Sequence, residues 1–269
     1  MNTRRDNRMD FDNWGPIYQQ ISVDLELDTE KDAEAGRFLA GIIRGCRKIR
    51  DREETLLEVQ RIVEGKRVYV FGAGPDLEDE FSILLSEKQG KGTWVGGQAG
   101  DDVIIAADGA SSYLLSNGFI PHIIVSDMDG CIEDQLACVS RGSILFLHAH
   151  GDNMNVLEGL ATRLHGRIIG TTQTNPSDAG GLDNFGGFSD GDRAAFVAQH
   201  FGARQIILLG YNFNEVGEKM GSMGRRENLS EKERMIKFKK LAWASILLGV
   251  ITRPQVRFYS EIAVFNAAS

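Results

Sequence analysis

The chain has 269 residues, and its 38 acidic side chains outnumber the 30 basic ones, which gives a formal net charge of −8. This balance argues against a general nucleic-acid binder, because contacts to phosphates need a basic surface. The longest apolar run covers residues 241–252 and is too short to cross a bilayer, so we expect no membrane partner. Three cysteines without metal-ligand spacing, and no secretory apolar core near the N-terminus, predict a cytoplasmic protein with reduced thiols.

Residues 1–64 are predicted to form a helical N-terminal segment, which precedes an α/β catalytic domain over residues 65–269. After a polar start, residues 32–64 are rich in Ala, Leu, Ile, Arg and Glu, with apolar side chains at helical spacing. Gly65 and Lys66 end this helical pattern.

From Arg67 onward the pattern changes to short apolar runs, which are typical of strands buried on both faces. The runs are Val68–Phe71, Val103–Ala107, His122–Val125, Ile144–Leu147, Arg167–Ile169 and Gln205–Leu209. Helix-like segments between several of them favour right-handed βαβ units. We therefore predict an α/β fold with a mostly parallel sheet and helices on both faces. Ser230 and Glu233 predict the start of a further helix that ends near Leu248, before a last strand over residues 256–260.

Glycines, carboxylates and amides follow five of these runs directly. In a parallel α/β sheet, ligands bind beyond the carboxyl ends of the strands. The sequence therefore predicts a binding site at that edge of the sheet. The residues concerned are Gly72 and Gly74, Asp108, Asp127 and Asp129, His148 to Asn153, and Thr171 to Gln173.

Asp127 and Asp129 come after the third run, with one residue between them. In an extended segment both carboxylates point the same way, and at about 4 Å they repel by roughly 4 kcal/mol at an effective dielectric of about 20. A divalent cation with oxygen ligands would offset that repulsion. The alternative is that the pair only turns the chain and caps the next helix.

Two other motifs at the strand ends allow a functional and a structural interpretation. Gly72 and Gly74 resemble the start of a dinucleotide fingerprint, but Leu77 replaces its third glycine, so no NAD site is predicted. Their backbone N–H groups would either approach a phosphate or form a plain turn. For His148 and His150, structural or substrate-contacting roles are favoured over zinc, because no thiolate or third histidine is nearby.

The glycine-rich stretch 184–193 leads into a predicted helix. Ser189 and Asp192 have the spacing of a capping pair, which gives Asp192 a structural explanation. Asp190 has no such explanation and is a candidate ligand contact.

An apolar strand that ends in Asp-x-Asp occurs in two enzyme families. The haloacid-dehalogenase-like phosphatases share it, but here the motif follows the third strand, and Cys131 replaces the usual threonine or valine. The catalytic core of the thiamine pyrophosphokinases is more similar, in the turn at residues 107–110, the stretch 117–129 and the helix start at 189–194. The chain departs from that core at Gly130, where the family has serine.

The full set of motifs resembles the archaeal-type 6-hydroxymethyl-7,8-dihydropterin pyrophosphokinase (MptE-like) family, a relative of the thiamine pyrophosphokinase core. The resemblance spans about residues 68–213, with motifs in the same order at 71–75, 126–130, 148–153, 171–173 and 184–193. It implies transfer of a diphosphate from ATP to a reduced pterin alcohol, with release of AMP, in folate- or methanopterin-type cofactor biosynthesis.

The resemblance and the residue chemistry together assign roles at the site. Four carboxylates would hold Mg²⁺, which bridges the triphosphate: Asp127, Asp129, Asp108 and Asp190. Gly72 and Gly74 would let backbone amides approach phosphate. Three polar side chains would contact the pterin: Asp152, Asn153 and Gln173. The general base stays open between the metal and Asp152.

Three other functions remain open on the sequence alone. They are diphosphate transfer to thiamine or another alcohol, a phosphatase with Asp127 as nucleophile, and a non-catalytic nucleotide or pterin sensor. A homodimer is open as well, since the apolar C-terminal stretch fits either a core or an interface.

Overall fold

The computed structural model describes residues 8–213, 219–220, 226–227 and 230–262. Its centre is a seven-stranded sheet in the order β5-β4-β3-β2-β1-β6-β9, in which every neighbouring pair is parallel. The strands of this sheet are β1 Arg67–Phe71, β2 Val103–Ala107, β3 Ile123–Ser126, β4 Ile144–Ala149, β5 Ile168–Thr172, β6 Gln205–Leu209 and β9 Gln255–Phe258. Two short strands, β7 Lys219–Met220 and β8 Arg226–Glu227, form a separate antiparallel pair.

Helices connect the strands and cover both faces of the sheet, which confirms the predicted α/β class. They are α1 Phe11–Asp24, α2 Thr29–Gly45, α3 Arg52–Val63, α4 Leu77–Gly90, α5 Ala110–Ser116, α6 Ile132–Ser140, α7 Met154–Leu160, α8 Asp190–His200 and α9 Glu231–Val250. None of the helices in the described ranges combines the length and the apolar character that crossing a bilayer requires.

Side chains of each central strand alternate between two apolar cores. Val103 and Ile105 of β2 belong to the core beneath α8, while Ile104 and Ala106 belong to the core beneath α4 and α5. Both kinds of position are buried, since every residue of β2 is covered. This explains why the strands read as continuous apolar runs and not as alternating ones.

The N-terminal region differs in detail from the sequence prediction. The helical stretch predicted over residues 32–64 is two helices, α2 and α3, separated by residues 46–51. The supposed polar start contains α1, which is capped by Asp10 and buries Trp14, Tyr18 and Ile21. Trp14 and Ile21 lie in the same core as strand residues of the sheet. A domain boundary between residues 64 and 65 stays a prediction.

Two C-terminal predictions are close to the structure. Ser230 and Glu233 cap the start of α9 as expected, and this helix continues to Val250. The last strand covers Gln255–Phe258, while Tyr259 and Ser260 begin a helical turn and not the end of a strand.

Candidate functional site

Three carboxylates meet at the carboxyl edge of the sheet. Asp108 follows β2, Asp127 follows the adjacent strand β3, and Asp190 opens α8, which packs against both strands. One oxygen from each carboxylate lies within 4.8 Å of the other two. We call these three residues the acidic cluster. Carboxylate oxygens at this spacing are ligands that a hard divalent cation accepts.

Asp108 is fixed by three donors. Its Oδ1 accepts from Ser126 Oγ at 3.1 Å, from Gly130 N–H at 3.2 Å and from Gln135 Nε2 at 2.9 Å. A Cβ atom added to Gly130 would lie 2.6 Å from the same Oδ1. Glycine is therefore required at residue 130 for the loop after β3 to approach Asp108 this closely.

The segment from Asp127 to Asp129 is a turn and not an extended strand, so the predicted reason for pairing the two carboxylates is wrong. Met128 has a φ of 65°, and Asp129 N–H donates to Asp127 Oδ1 at 3.1 Å. Asp129 is exposed and does not belong to the acidic cluster, although its charge acts on Asp108. Its role as a metal ligand stays a prediction.

Repulsion between the negative charges makes the carboxylates of the acidic cluster harder to ionise. Burial, and then the charges of Asp129 and Asp127, raise the pKa of Asp108 to about 6. Burial and the charge of Asp127 hold the pKa of Asp190 well above its usual range, against the opposing effect of Arg193. Burial is the largest influence on Asp127 and would raise its pKa, but the hydrogen bond and charge of His150, the charge of Arg193 and the N–H of Asp129 together outweigh burial and lower it. A bound cation would relieve this repulsion.

His150 and Asn153 hold Asp127 in place from the loop after β4. Asp152 N–H donates to His150 Nδ1 at 3.3 Å, so the proton sits on His150 Nε2, which lies 2.9 Å from Asp127 Oδ2. Asn153 Nδ2 donates to the backbone oxygens of Asp127 and His148, at 2.9 and 2.8 Å, and its Oδ1 accepts from His150 N–H. Asn153 is thus engaged within the protein, whereas Asp152 is exposed. Pterin contacts for both stay predictions.

Arg193 and Gln173 hold Asp190 in the same way. Arg193 Nη1 donates to Asp190 Oδ1 at 2.9 Å, and Arg193 Nη2 donates to Gln173 Oε1 at 3.2 Å. The other end of the Gln173 amide donates to Asp32 Oδ2 at 2.6 Å. The polar atoms of Gln173 are therefore bonded within the protein, and its predicted contact with the pterin stays a prediction.

Gly72 and Gly74 allow a close approach of two backbone segments. Their N–H groups donate to Leu209 O at 2.8 Å and to Gly210 O at 2.9 Å. A Cβ atom on Gly74 would lie 2.3 Å from the Gly210 oxygen. These two amides are engaged inside the protein, so the phosphate contact assigned to both glycines stays a prediction.

His148 is a buried structural residue. Its Nδ1 lies 3.0 Å from Thr171 Oγ1, and burial holds the pKa of the ring well below its usual range, so the ring is neutral. The potential metal-binding group found in the described residues consists of carboxylates, without a histidine. The preference for structural or substrate-contacting roles of His148 and His150 over zinc binding stays a prediction.

Sequence reasoning did not predict how three residues hold the acidic cluster, and it missed two of them, Arg193 and Asp32, as site residues. His150 follows a strand end, so the signal for its position was present, although its bond to Asp127 was not foreseen. Arg193 lies three residues after Asp190 on one helix, a spacing at which side chains of opposite charge meet. Asp32 gives no local signal, because its partners Gly151 and Gln173 are more than a hundred residues away.

Comparisons with known proteins show which proteins this chain is similar to. A family model described as "6-hydroxymethylpterin diphosphokinase MptE-like" matches residues 46–218. The chain is 36% identical over 240 residues to a 6-hydroxymethyl-7,8-dihydropterin pyrophosphokinase of Pyrococcus furiosus, covering 89% of this chain and 93% of the relative. Relatives with the same description from Methanocaldococcus jannaschii and Methanothermobacter thermautotrophicus are 34% and 33% identical, over 90% and 91% of this chain and 96% of each relative.

Proposed function

The chain belongs to the MptE-like 6-hydroxymethylpterin diphosphokinase family, and from this premise we propose that it transfers a diphosphate from ATP to 6-hydroxymethyl-7,8-dihydropterin. The products are the pterin diphosphate and AMP, as needed in methanopterin- or folate-type cofactor biosynthesis. The observation that carries the proposal is the acidic cluster, which lies at the ligand-binding edge of the sheet and within the matched range.

The acidic cluster fits a magnesium ion. Its donor set consists of hard carboxylate oxygens, and burial together with the neighbouring carboxylates keeps the pKa values of Asp108 and Asp190 raised, a cost that a bound cation would offset. A cation held by Asp108, Asp127 and Asp190, with Asp129 beside them, would neutralise charge on the phosphate oxygens during transfer.

The reaction forms one bond and breaks one. The hydroxyl oxygen of the pterin attacks the β-phosphorus of ATP, the bond from that phosphorus to the oxygen bridging to the α-phosphorus breaks, and AMP leaves with this oxygen. Asp152 is our candidate to receive the hydroxyl proton, because its side chain is exposed in the same loop as His150. His150 and Arg193 keep Asp127 and Asp190 in fixed orientations throughout, so little reorganisation accompanies the transfer.

The decisive experiment is an AMP-release assay with ATP and Mg²⁺, with the hydroxymethyldihydropterin and thiamine as parallel acceptors. The proposal predicts AMP with the pterin and little with thiamine. AMP with thiamine alone would move the chain to the thiamine-type reaction. Phosphate release from phosphate esters without ATP would indicate a phosphatase, and tight ATP binding without turnover would indicate a sensor.

We also propose that the chain forms a homodimer. Four apolar side chains on one side of α9 are exposed: Met235 at 60%, Phe238 at 50%, Ile246 at 57% and Val250 at 43%. A second copy of the chain that covers them would bury this apolar surface. Light scattering of the purified protein measures the mass directly, and the mass of a single chain would reject the dimer. The cytoplasmic location also stays a prediction.

A further inference from the structure

Asp32 connects the N-terminal helices to the ends of two strands. It lies on α2, is 5% exposed, and is outside the residues that the family model matches. Its Oδ1 accepts from Gly151 N–H at 2.7 Å, in the loop after β4. Its Oδ2 accepts from Gln173 Nε2 at 2.6 Å, just after β5, and from the hydroxyl of Tyr18 on α1.

One branch of this network runs from Asp32 to Asp190. A carboxylate can only accept, so Asp32 requires the NH₂ group of Gln173 to face it. The Oε1 atom of Gln173 then faces Arg193 Nη2, and Arg193 Nη1 donates to Asp190. If the Gln173 amide turned round, its NH₂ group would oppose the guanidinium, which has donors only. The charge on Asp32 therefore determines how Arg193 is held against Asp190.

The other branch runs from Asp32 to Asp127. Gly151 follows His150, whose Nε2 contacts Asp127 Oδ2 at 2.9 Å. The contact between Gly151 and α2 is close, since a Cβ atom on Gly151 would lie 2.8 Å from the Cβ of Lys31. Both branches thus end on carboxylates of the acidic cluster.

We propose that Asp32 is a positioning residue for the metal site of the proposed diphosphate transfer. It touches neither substrate and acts through Gln173 and Arg193 on one side and through Gly151 and His150 on the other. The N-terminal helices are then part of the catalytic apparatus, although they carry none of the motifs at the strand ends. This inference rests on the proposed function, because it concerns the same acidic cluster.

The test is Asp32→Asn, with Mn²⁺ affinity of the folded protein and kcat as separate readouts. Asparagine keeps the shape but places an NH₂ group among donors, so the Gln173 amide turns round and Arg193 loses its acceptor. We expect Mn²⁺ affinity, measured by calorimetry, and kcat each to fall by about 10- to 100-fold. The matched control is Asp28→Asn, on the exposed start of the same helix, where both quantities should stay within about twofold of wild type.

A second variant separates positioning from plain stabilisation. In the double variant Asp32→Asn with Gln173→Glu, the new carboxylate accepts from both Asn Nδ2 and Arg193 Nη2, so much of the lost Mn²⁺ affinity should return. A stability loss in Asp32→Asn with unchanged Mn²⁺ affinity and kcat would overturn the inference. If Asp32→Asn does not fold, Gln173→Met removes the same link while Asp32 keeps Tyr18 and Gly151. Wild-type Mn²⁺ affinity in that variant would overturn the inference too.

The outcome for wild type distinguishes this inference from the proposed function. If the wild-type protein binds no Mn²⁺ and releases no AMP with the pterin, the proposed function fails. If wild type does both and Asp32→Asn matches it, only the role of Asp32 fails.

Discussion

Buried carboxylates lie at both edges of the central sheet, but their pKa values are shifted in different directions. At the amino edge, Asp102 lies just before β2, and its carboxylate meets Lys88 Nζ at 2.5 Å, Arg67 Nε at 2.9 Å and Trp94 Nε1 at 3.0 Å. Burial raises the pKa of Asp102, but the hydrogen bond to Lys88 and the other partners outweigh burial, so its pKa lies below the usual value. The protein's own side chains therefore balance the charge of Asp102.

At the carboxyl edge, two of the three carboxylates of the acidic cluster have pKa values above the usual range, while that of Asp127 is lowered. Asp108 and Asp190 have raised pKa values although Arg193 contacts Asp190 directly. Both edges contain buried acids, and they differ in whether the fold supplies enough positive charge. Burial of an acid therefore does not by itself indicate a binding site, and the stronger evidence at the carboxyl edge is that three carboxylates meet there within 4.8 Å of one another.

The largest expected effect comes from removing a charge at the carboxyl edge. Asp127→Asn should lower kcat on the order of 10³-fold, because a ligand oxygen with full charge is lost from the acidic cluster. The free energy of unfolding should change by less than about 1 kcal/mol, since asparagine loses one acceptor, for either His150 Nε2 or Asp129 N–H, while repulsion with the other two acids falls. Steady-state kinetics and urea unfolding measure the two quantities, and an unchanged kcat would remove Asp127 from the mechanism.

The same change at the amino edge should have the opposite profile. Asp102→Asn leaves Lys88 buried beside Tyr69 and Trp94 without its carboxylate, so we expect unfolding to become easier by about 3 kcal/mol. The kcat of the folded fraction should stay near wild type, because the residue lies at the other end of the sheet. A specific loss of kcat without a loss of stability would contradict the division between the edges.

A smaller effect is expected at Gly130. Gly130→Ala places a Cβ atom against Asp108 Oδ1 and pushes this carboxylate away from its position in the acidic cluster. We expect a loss of kcat of about 10-fold or more, with a weaker affinity for Mg²⁺. The control is Gly159→Ala in α7, where an added Cβ meets nothing within 4 Å. Equal activities of the two variants would show that the approach of Gly130 to Asp108 does not matter.

The strands and their polar ends could be predicted from sequence because both depend on local pattern. Continuous apolar runs mark strands covered on both faces, and parallel pairing brings their carboxyl ends together, which placed Asp108 and Asp127 side by side. A turn at Asp127 and Asp129 was one of the two interpretations, but the positive φ of Met128 could not be foreseen, because a non-glycine residue rarely adopts it.

The N-terminal region was harder to predict because its signals are weak or distant. Helix α1 contains Pro16, which normally argues against a helix. The helix forms nevertheless, because Trp14 and Ile21 are fully buried in the core. The sequence around Asp32 contains no motif that indicates a contact with the strand ends. Its bonds to Gly151 and Gln173 exist only once α2 packs beside β4 and β5, so a reading of local sequence cannot reveal them.

The central claim is that the acidic cluster is completed by a divalent cation, and the most direct test is the free energy of unfolding measured against Mg²⁺ concentration. For wild type and for Asp102→Asn, Mg²⁺ at roughly thirty times its dissociation constant should stabilise the folded state by about 2 kcal/mol. For Asp127→Asn, the same concentration should have almost no effect. Equal stabilisation of Asp127→Asn and wild type would contradict the claim, because the ion would then bind somewhere other than the acidic cluster.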